Sequence, residues 1–386
     1  MMNPSVHITR CDDYEPDVLK KQIGEHLARY PKFDELTGKK VLLKLNLLSA
    51  RDPENAVTTH PVFVKAVIME LSERGAKVTI ADSPGGLFNE VALQTVYDAT
   101  GISKIAKETG ADLNFNTSHH FRKFPEGRFT KNFIVCDYLN GHDLIIALPK
   151  IKTHMLCGLT CASKIMFGIV PGTEKVKYHT RFPDPIDFSK MLLDLTDASK
   201  TDLFLVDGII GMDGKGPARG RPRKVGAIIS GTDPLAIDLH VARMVGLRPD
   251  NIPILQAGFQ QGKISEDERI DVSGSGNEIF LKEKFKPSSG GIVSVLTPGP
   301  VRRVVIGLTT RKPKISHRRC VGCGVCRANC AGNAITIRNG IARIDYSKCI
   351  RCYCCHELCP HDAVYLTARE TGFLDRVIDI VYHVVA

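Results

Sequence analysis

Short apolar runs alternate with amphipathic stretches along the larger, N-terminal part of the chain. Val41 to Leu45 and Val78 to Asp82 are aliphatic runs of strand length. Between them, Pro61 to Arg74 has apolar residues at helical spacing and stops at Gly75, which predicts a β-α-β unit. Further strands are predicted at 143–148, 203–206 and 225–229, and helices at 188–198 and 235–245.

This alternation predicts an α/β fold in which a mostly parallel sheet is flanked by helices and binds ligands at the carboxyl ends of its strands. We assign residues 1–300 to this α/β domain, 301–316 to a basic linker, 317–369 to a cysteine-rich segment and 370–386 to a C-terminal helix. Short β-type runs on either side of an Asn339-Gly340 turn predict that the cysteine-rich segment is a small α+β domain.

The cysteine-rich segment carries the strongest chemical signal, because the spacing C-x2-C-x2-C-x3-C occurs in it twice. In such a frame, three thiolates bind one iron–sulfur cluster and the fourth reaches the cluster of the other run. The spacing predicts two [4Fe-4S] clusters, one held by Cys320, Cys323, Cys326 and Cys359 and the other by Cys349, Cys352, Cys355 and Cys330. The alternatives, a zinc ribbon or a disulfide framework, require a different spacing or a small secreted chain.

This segment resembles a bacterial-type two-cluster ferredoxin domain over its whole length, with two departures. Cys330 is followed by Ala331 where such domains usually have proline, and Cys354 is an additional thiol beside Cys355. We interpret Cys354 as a buried bystander, with a swapped cluster ligand or a redox-active thiol as the alternatives.

Composition and charge narrow the class of protein. The chain has 386 residues, 13 cysteines and a formal net charge of +10. Scattered cysteines outside the two runs and the lack of a signal-peptide pattern predict a cytoplasmic protein, and no stretch approaches the length of a membrane span. Nucleic-acid binding is not favoured, because the chain has neither a helix-turn-helix nor an aromatic RNA-binding pattern.

Basic residues outnumber acidic ones in the cysteine-rich segment, and Arg318, Arg319 and Arg351 lie beside its thiols. Positive charge at this place favours docking of an acidic electron carrier of the ferredoxin or flavodoxin type. A solvated basic face is the alternative.

Two segments of the α/β region carry cationic residues that a core does not require. Lys44 to Asn46 ends a strand and Thr58 to Pro61 opens a helix, a pair that predicts either an anion seat or an ordinary helix cap. From 150 to 179 the chain has seven Lys or His residues and a single acid, which predicts a cleft for an anionic small-molecule substrate. The candidate catalytic residues of this cleft are Lys150, Lys152, His154 and His179, and the histidines are expected to move a proton near neutral pH.

A third segment, 207–220, is rich in glycine and follows a predicted strand. Its candidates for contact with a ligand or cofactor through the backbone are Gly208, Gly211, Gly214, Lys215 and Gly216. A plain surface loop explains the glycines equally well. Because its spacing fits neither a P-loop nor a dinucleotide fingerprint, we expect neither a Walker-type ATP site nor a standard NAD site.

The order of these motifs is more specific than any one of them. Lys44-Leu45-Asn46, Pro149 to His154, Lys164 with Phe167-Gly168, Gly214 to Pro217 and Gly231 to Pro234 together resemble the family called domain of unknown function 362, over about residues 38–245. Relatives of this kind often carry a C-terminal two-cluster ferredoxin domain. The resemblance implies the architecture and implies no reaction.

Two hypotheses of function follow from the sequence. In the first, the protein is an oxidoreductase whose two clusters pass single electrons to an anionic substrate held in the α/β domain. In the second, it is a non-catalytic electron carrier or a partner in iron–sulfur assembly, and the α/β domain is a docking scaffold.

Overall fold

A computed structural model of the chain describes residues 4–288 and 312–367. In chain order its strands are β1 (Ser5–Arg10), β2 (Lys40–Lys44), β3 (Lys77–Ala81), β4 (Asp112–Leu113), β5 (His119–Lys123), β6 (Asn132–Cys136), β7 (Leu144–Ala147), β8 (Lys150–His154), β9 (Gly158–Thr160), β10 (Leu203–Asp213), β11 (Arg221–Gly231), β12 (Asp271–Ser273), β13 (Lys312–Ile315), β14 (Ile335–Arg338), β15 (Ile341–Ile344) and β16 (Val364–Thr367).

The α-helices alternate with these strands, and most of the longer ones begin with proline in the first turn, where its missing N–H is tolerated. They are α1 (Pro16–Leu27), α2 (Pro61–Glu73), α3 (Glu90–Ala99), α4 (Ile102–Thr109), α5 (Ala162–Ile165), α6 (Gly172–Arg181), α7 (Pro185–Ser199), α8 (Pro234–Met244), α9 (Pro253–Gln260), α10 (Val325–Ala328) and α11 (Cys354–Leu358). Short 3-10 helices occur at Pro31–Phe33, Pro53–Asn55, Asp137–Leu139, Met166–Ile169 and Pro249–Asn251.

A ten-stranded mixed sheet organises the larger domain. Eight of its strands follow the order β12-β1-β11-β10-β7-β2-β3-β4, and β8 and β9 join it through the pairing of β8 with β10. Most of its pairings are parallel; β11 runs antiparallel to both β1 and β10, and β9 antiparallel to β8. Strand β10 pairs with β7 near its start and with β8 further along. The predicted α/β class, with a mostly parallel sheet and flanking helices, is confirmed.

Alternate residues of one strand enter two different cores, because successive side chains point to opposite faces of the sheet. Leu42 packs in one core, while Val41 and Leu43 pack in the other. Helices α1 to α4 cover the face of Val41 and Leu43, and α7 to α9 cover the face of Leu42. The sheet is thus buried on both sides.

The strands and helices expected from the hydrophobic pattern are present, with ends that differ by a few residues. Residues 150–154 form a further strand, β8. The predicted loop at 207–220 is wrong in part, because residues 207–213 continue strand β10. Gly208 lies inside that strand, where a Cβ atom would be 2.8 Å from the Ala227 carbonyl oxygen and 2.9 Å from Ile151 Cδ1. Close packing between neighbouring strands therefore explains this glycine without a bound ligand.

The smaller domain pairs β13 with β16 and β14 with β15, both antiparallel. Because β13 belongs to it, the domain extends N-terminally of the predicted boundary at residue 317. Helices α10 and α11 carry the cysteines. The predicted C-terminal helix at 370–386 and linker residues 301–311 lie outside the described residues.

Two arginines of the α/β domain bind the smaller domain next to a cysteine. Arg51 Nη2 and Arg219 Nε lie 3.0 and 3.2 Å from the same oxygen of Asp362. Both guanidinium groups also donate to the carbonyl oxygen of Cys359, at 3.1 and 3.4 Å. Charge-assisted bonds therefore join the two domains beside a predicted cluster ligand.

Within the described ranges, every helix is too short or too polar to cross a bilayer.

The packing explanation for the central glycine can be tested by Gly208→Ala. The added methyl group is expected to cost about 1–3 kcal/mol because it overlaps the neighbouring strand, and to lower the midpoint of urea unfolding. Gly214→Asn is the control, since Gly214 has φ +82° with nothing within 4 Å of an added Cβ, and Asn tolerates this conformation. Equal losses in the two variants would contradict the explanation.

Candidate functional site

The eight predicted cluster ligands surround two separate cavities in the smaller domain. Among the lining residues of the first, of about 330 Å³, are Cys320, Cys323, Cys326 and Cys359. Among those of the second, of about 340 Å³, are Cys330, Cys349, Cys352 and Cys355. We call these the first and second cysteine cavities. Each brings together three thiols of one run and the last thiol of the other, as the spacing predicts for two clusters.

The two cysteine runs have the same backbone conformation. Gly322 and Gly324 of the first run have positive φ, and so do Arg351 and Tyr353 at the corresponding positions of the second. Left-handed backbone is costly for Arg and Tyr and persists where the surroundings require it. This turn conformation is therefore a requirement of the cysteine frame and does not depend on glycine.

Backbone N–H groups point at the sulfur atoms of these cavities. Ala334 donates to Cys330 Sγ at 3.1 Å, and Ala363 donates to Cys359 Sγ at 3.3 Å, again at matching positions of the two runs. Such bonds stabilise thiolates and tune the potential of a cluster. The residues present thus fit iron–sulfur clusters, which supply reversible one-electron transfer when bound.

A third cavity, of about 780 Å³ including its mouth, lies between the two domains, and we call it the interdomain pocket. The α/β domain contributes four lysines to it, Lys44, Lys152, Lys164 and Lys175, together with Asn46, Asp82, His154, Thr160 and His179 among others. The smaller domain contributes Asn329 and, from helix α11, Cys354, Glu357 and Leu358. Cys354 therefore lines the interdomain pocket, not the second cysteine cavity.

Two of the four lysines are saturated by the protein itself. Lys44 Nζ lies 2.8 Å from Asp82 Oδ1 and donates to the carbonyl oxygens of Leu45 and Ile165 at 2.7 and 3.2 Å. Lys175 Nζ donates to the Ser83 carbonyl and, at 3.2 Å, to that of Pro84. These ammonium groups hold the loops after β2 and β3 in place.

The other two lysines keep hydrogen-bond donors available. Lys152 is 1% exposed and donates to the Val57 carbonyl oxygen at 2.7 Å. Lys164 Nζ lies 5.7 Å from the centre of the Phe167 ring, and no hydrogen bond to it is found among the described residues. Burial, followed by the charge of Lys164, lowers the pKa of Lys152 to about 7.

His154, at the end of β8, faces helix α11 across the interdomain pocket. Its Nδ1 accepts the N–H groups of Leu156 and Cys157 at 3.0 and 3.2 Å, so its hydrogen is on Nε2. Nε2 lies 3.8 Å from Glu357 Oε1. Burial raises the pKa of Glu357 to about 7 and lowers that of His154 well below its usual value.

The expectation that the histidines move a proton near neutral pH is not supported. Burial lowers the pKa of His179 to about 3, as it lowers that of His154, so both imidazoles are neutral at pH 7. Lys152 and Glu357, each with a pKa of about 7, and Lys175, with a pKa of about 8, are instead suited to proton exchange in the interdomain pocket.

Lys150, the fourth candidate catalytic residue, lies away from the interdomain pocket. Its Nζ is 2.7 Å from Asp207 Oδ2 and 2.7 Å from the Tyr14 hydroxyl, in a buried network under the stacked Tyr14 and His60 rings. This network ties β8 to β10 and supports the fold. The prediction that Lys150 shares a cleft with Lys152 and His154 is therefore wrong.

The glycine-rich candidates also lie outside the lining of this pocket. Gly208, Gly211, Gly214, Lys215 and Gly216 are absent from it, and only the adjacent Pro217 reaches it. A Cβ atom on Gly216 would lie 2.1 Å from the Thr153 carbonyl oxygen, and one on Gly211 would lie 3.0 Å from that of Ile151. These two glycines allow the segment to pack against β8, a structural role.

Polar groups of the expected anion site, at Lys44 and the Thr58 to Pro61 segment, form hydrogen bonds with other groups of the protein. Thr59 Oγ1 accepts the Asn46 N–H at 3.0 Å and donates to the Leu148 carbonyl oxygen at 2.7 Å. His60 caps helix α2, and its N–H binds Asp207. The threonine thus holds the ends of β2 and β7 together, and of this anion site only Lys44 and Asn46 reach the interdomain pocket.

Sequence reasoning missed Asp82, Thr160 and Glu357. Asp82 directly follows β3, and the carboxyl end of a parallel strand is where ligands of such sheets bind, so a signal for it existed. Thr160 is the last residue of the short strand β9, and no motif marks it. Glu357 lies among the cysteines, and nothing in the sequence indicates that it faces the other domain.

The cysteine cavities and the fold around them define an iron–sulfur protein with a ferredoxin-type domain. Residues 312–360 match the family model described as a 4Fe-4S dicluster domain. The chain belongs to the family described as Domain of unknown function (DUF362), whose model matches residues 41–243. Both resemblances found in the sequence are confirmed.

Among characterised relatives, the chain is similar to the "Thylakoid-associated protein sll1697" of Synechocystis sp., with 31% identity over 271 residues. The match covers 68% of this chain and 80% of that protein.

Among solved structures, the lactate racemase apoprotein from Thermoanaerobacterium thermosaccharolyticum is 12% identical with a TM-score of 0.36, over 59% of this chain and 54% of the other. A protein from Thermotoga maritima is 15% identical with a TM-score of 0.34, and the match covers 54% of each chain. The chain thus spans about half the length of these two structures.

The position of Cys354 predicts that it is dispensable for cluster binding. Cys354→Ala should keep about eight irons per polypeptide after anaerobic reconstitution, whereas Cys355→Ala should keep about four. The two substitutions are matched in size and lie side by side on α11. Iron analysis and the visible absorption of both variants measure the outcome, and iron loss in Cys354→Ala would assign that thiol to the second cluster.

Proposed function

We propose that this protein is an iron–sulfur oxidoreductase that passes single electrons through two [4Fe-4S] clusters to an anionic small molecule bound in the interdomain pocket. The proposed ligands are the four thiols of each cysteine cavity. The anion is proposed to bind Lys152 and Lys164, the two lysines with donors to spare.

The observation that carries this proposal is that the interdomain pocket and the second cysteine cavity are directly adjacent. Asn329 lines both the interdomain pocket and the second cysteine cavity, and Cys354, which lines the pocket, adjoins Tyr353 and Cys355, which line that cavity. A molecule in the pocket would therefore be separated from the thiols of the second cavity by single side chains. An electron carrier without a substrate has no need of such a pocket at this place.

In the proposed reaction, electrons and protons reach the bound anion from different sides. Clusters held by the thiols of the two cysteine cavities would supply one-electron transfer, with the electrons drawn from an acidic carrier of ferredoxin or flavodoxin type. Lys152, with a pKa of about 7, can hold a proton beside the anion at neutral pH. Burial of Lys152 and His154 keeps water from these groups.

Docking of the carrier is proposed at the first cysteine cavity. Cys323 is exposed there, and His317, Arg318 and Arg319 are exposed directly before Cys320. A positive surface beside an exposed thiol favours an acidic electron-transfer partner. The alternative function, a non-catalytic electron carrier or iron–sulfur assembly partner, would use the same surface and leave the interdomain pocket without a role.

We also propose a cytoplasmic location, on the basis of cysteines that show no disulfide framework. The name of the Synechocystis relative associates that protein with the thylakoid. Fractionation of cells that express the tagged chain distinguishes a cytoplasmic from a membrane-associated protein.

Electron-dependent turnover tests the proposed function. Reconstituted protein, reduced anaerobically with methyl viologen, should convert at least one compound in a panel of carboxylates and phosphate esters. Lys164→Met should lower this turnover by at least about tenfold, because a buried anion loses its cationic partner. Lys177→Met is the control, since this lysine is 72% exposed and pairs with Glu174 at 2.7 Å.

Each variant should contain the same iron as the parent protein, so that a loss of turnover is not a loss of clusters. A Lys164→Met protein as active as the parent would contradict the proposed pocket. Cluster reduction and reoxidation by carriers, with no turnover of any anion, would support the non-catalytic alternative.

Anion binding to the interdomain pocket should weaken as pH rises above about 7. Below its pKa of about 7, Lys152 is already protonated; above it, binding of an anion requires uptake of a proton, so affinity falls by up to about tenfold per pH unit. The charged groups that act on Lys152 are Lys164, Glu357, Lys150 and Asp82. Deprotonation of Glu357 above its pKa of about 7 acts in the same direction.

Calorimetry with sulfate, which keeps its charge over this range, measures the effect between pH 6 and about 9. Glu357→Gln should retain the slope that comes from Lys152, and Lys152→Met should lose it. A slope that is unchanged in Lys152→Met would assign the titration to another group.

A further inference from the structure

The interdomain pocket contains unsatisfied hydrogen-bond acceptors as well as cations. Asn46 Oδ1, Thr160 Oγ1 and His179 Nδ1 are buried and have no hydrogen-bond partner among the described residues. All three residues line the pocket, and Thr160 is only 4% exposed. Because buried polar atoms in proteins are normally hydrogen-bonded, a molecule in the pocket is the natural source of the missing partners.

A bound molecule has to satisfy two different demands. Lys152 and Lys164 require an acid group, since both are cationic donors. Asn46 Oδ1 only accepts and requires a hydrogen-bond donor instead, and Thr160 Oγ1 can accept from a second one. An acid group alone, which in its ionised form only accepts, cannot serve both sets of atoms.

The charge of the pocket selects the kind of donor. Four lysines face two carboxyl groups, Asp82 and Glu357, so the lining carries net positive charge at neutral pH. An ammonium group on the ligand would be repelled by this lining, whereas a hydroxyl group donates a hydrogen bond without adding charge. Hydroxyl groups therefore fit the acceptors better than amines do.

The size of the pocket and its apolar residues set the scale of the ligand. The empty space of about 780 Å³ includes the solvent at the mouth of the pocket, so it is an upper bound on the space for a ligand. Leu48, Ile165, Phe167 and Leu358 supply apolar surface for a carbon skeleton. A lone inorganic anion would leave this apolar surface and the buried polar atoms without a partner.

We propose that the ligand of the interdomain pocket is a polyhydroxylated organic acid, either a carboxylate or a phosphate ester. Its acid group binds Lys152 and Lys164, and its hydroxyl groups donate to Asn46, Thr160 and His179. This assignment rests on the proposed function and names the class of substrate that the site accepts.

Matched pairs of probes test the class by calorimetry on the reconstituted protein, without any redox reaction. Gluconate is compared with hexanoate, and glucose 6-phosphate with hexyl phosphate; glucose is the uncharged control. At least one hydroxylated acid should bind about tenfold or more tightly than its partner without hydroxyls, and glucose should not bind. The two pairs also distinguish a carboxylate site from a phosphate site.

Two variants connect the preference to its residues. Thr160→Val keeps the shape of the side chain and removes the hydroxyl, so the preference for the hydroxylated probe should fall about three- to tenfold. Lys164→Met should abolish binding of both members of a pair, and Lys177→Met should change neither. Circular dichroism and iron content confirm that each variant is folded and loaded.

Equal affinity within both pairs would overturn the inference, as would an unchanged preference in Thr160→Val or failure of every acid to bind. Equal affinity would still leave electron transfer to a bound anion intact, because that proposal requires only the acid group. Selective binding without any turnover would have the opposite meaning: the class of ligand stands and the proposed redox function fails.

Discussion

Burial of lysine ammonium groups on strands β2 and β8 is the constraint on which the rest of this structure depends. Lys44, Lys150 and Lys152 are each 1% exposed. Removing such a charge from water costs several kcal/mol unless an opposite charge compensates for it, on the order of the values known for buried ions. Asp82 and Asp207 compensate Lys44 and Lys150 at 2.8 and 2.7 Å, and both pairs are formed within the α/β domain.

Lys152 has no such partner within its own domain among the described residues. It donates to a single carbonyl oxygen, and the carboxyl group that raises its pKa most is Glu357, on the far side of the interdomain pocket. The opposite charge thus comes from the smaller domain. Docking of that domain, fastened at Asp362 by Arg51 and Arg219, is therefore coupled to the electrostatics of the site. Glu357 interacts electrostatically with both Lys152 and Lys164, so one carboxyl group serves two lysines.

The sequence predicted those features that depend on local spacing. The cysteine frame specified which thiols share a cavity, and hydrophobic periodicity located β2, α2 and β3. Each of these signals is carried by residues that are close together in the sequence. Lys152, His154 and His179, which the sequence placed in one cleft, all line the interdomain pocket, and their catalytic role stays a prediction. The sequence could not distinguish Lys150 from Lys152. In the structure, Lys150 binds Asp207 and Lys152 lines the interdomain pocket, and this difference depends on how β8 pairs with β10.

Long-range contacts explain the other misses. Gly208 and Gly216 resemble ligand-binding glycines in sequence, but the atoms that exclude a Cβ atom belong to Ala227 and Thr153, which only the folded sheet brings near. The pKa values of His154 and His179 likewise follow from burial, which no local pattern reports. Glu357 was missed because its role requires the docking of one domain on the other.

The internal repeat of the smaller domain shows where its two halves have different tasks. The interval between corresponding cysteines is the same throughout, so α10 and α11 can be compared position by position. Where α10 has Val325 and Ala328, α11 has Cys354 and Glu357. Val325 lines the first cysteine cavity, whereas Cys354 and Glu357 line the interdomain pocket.

The two halves of the repeat therefore agree at the cysteine positions and differ at the positions that face the α/β domain. A scaffold for two equivalent clusters requires only the first kind of position. Glu357, at the second kind of position, supplies the carboxyl group that acts on Lys152 across the interdomain pocket. The second half of the repeat thus combines predicted cluster ligands with residues that form one wall of this pocket.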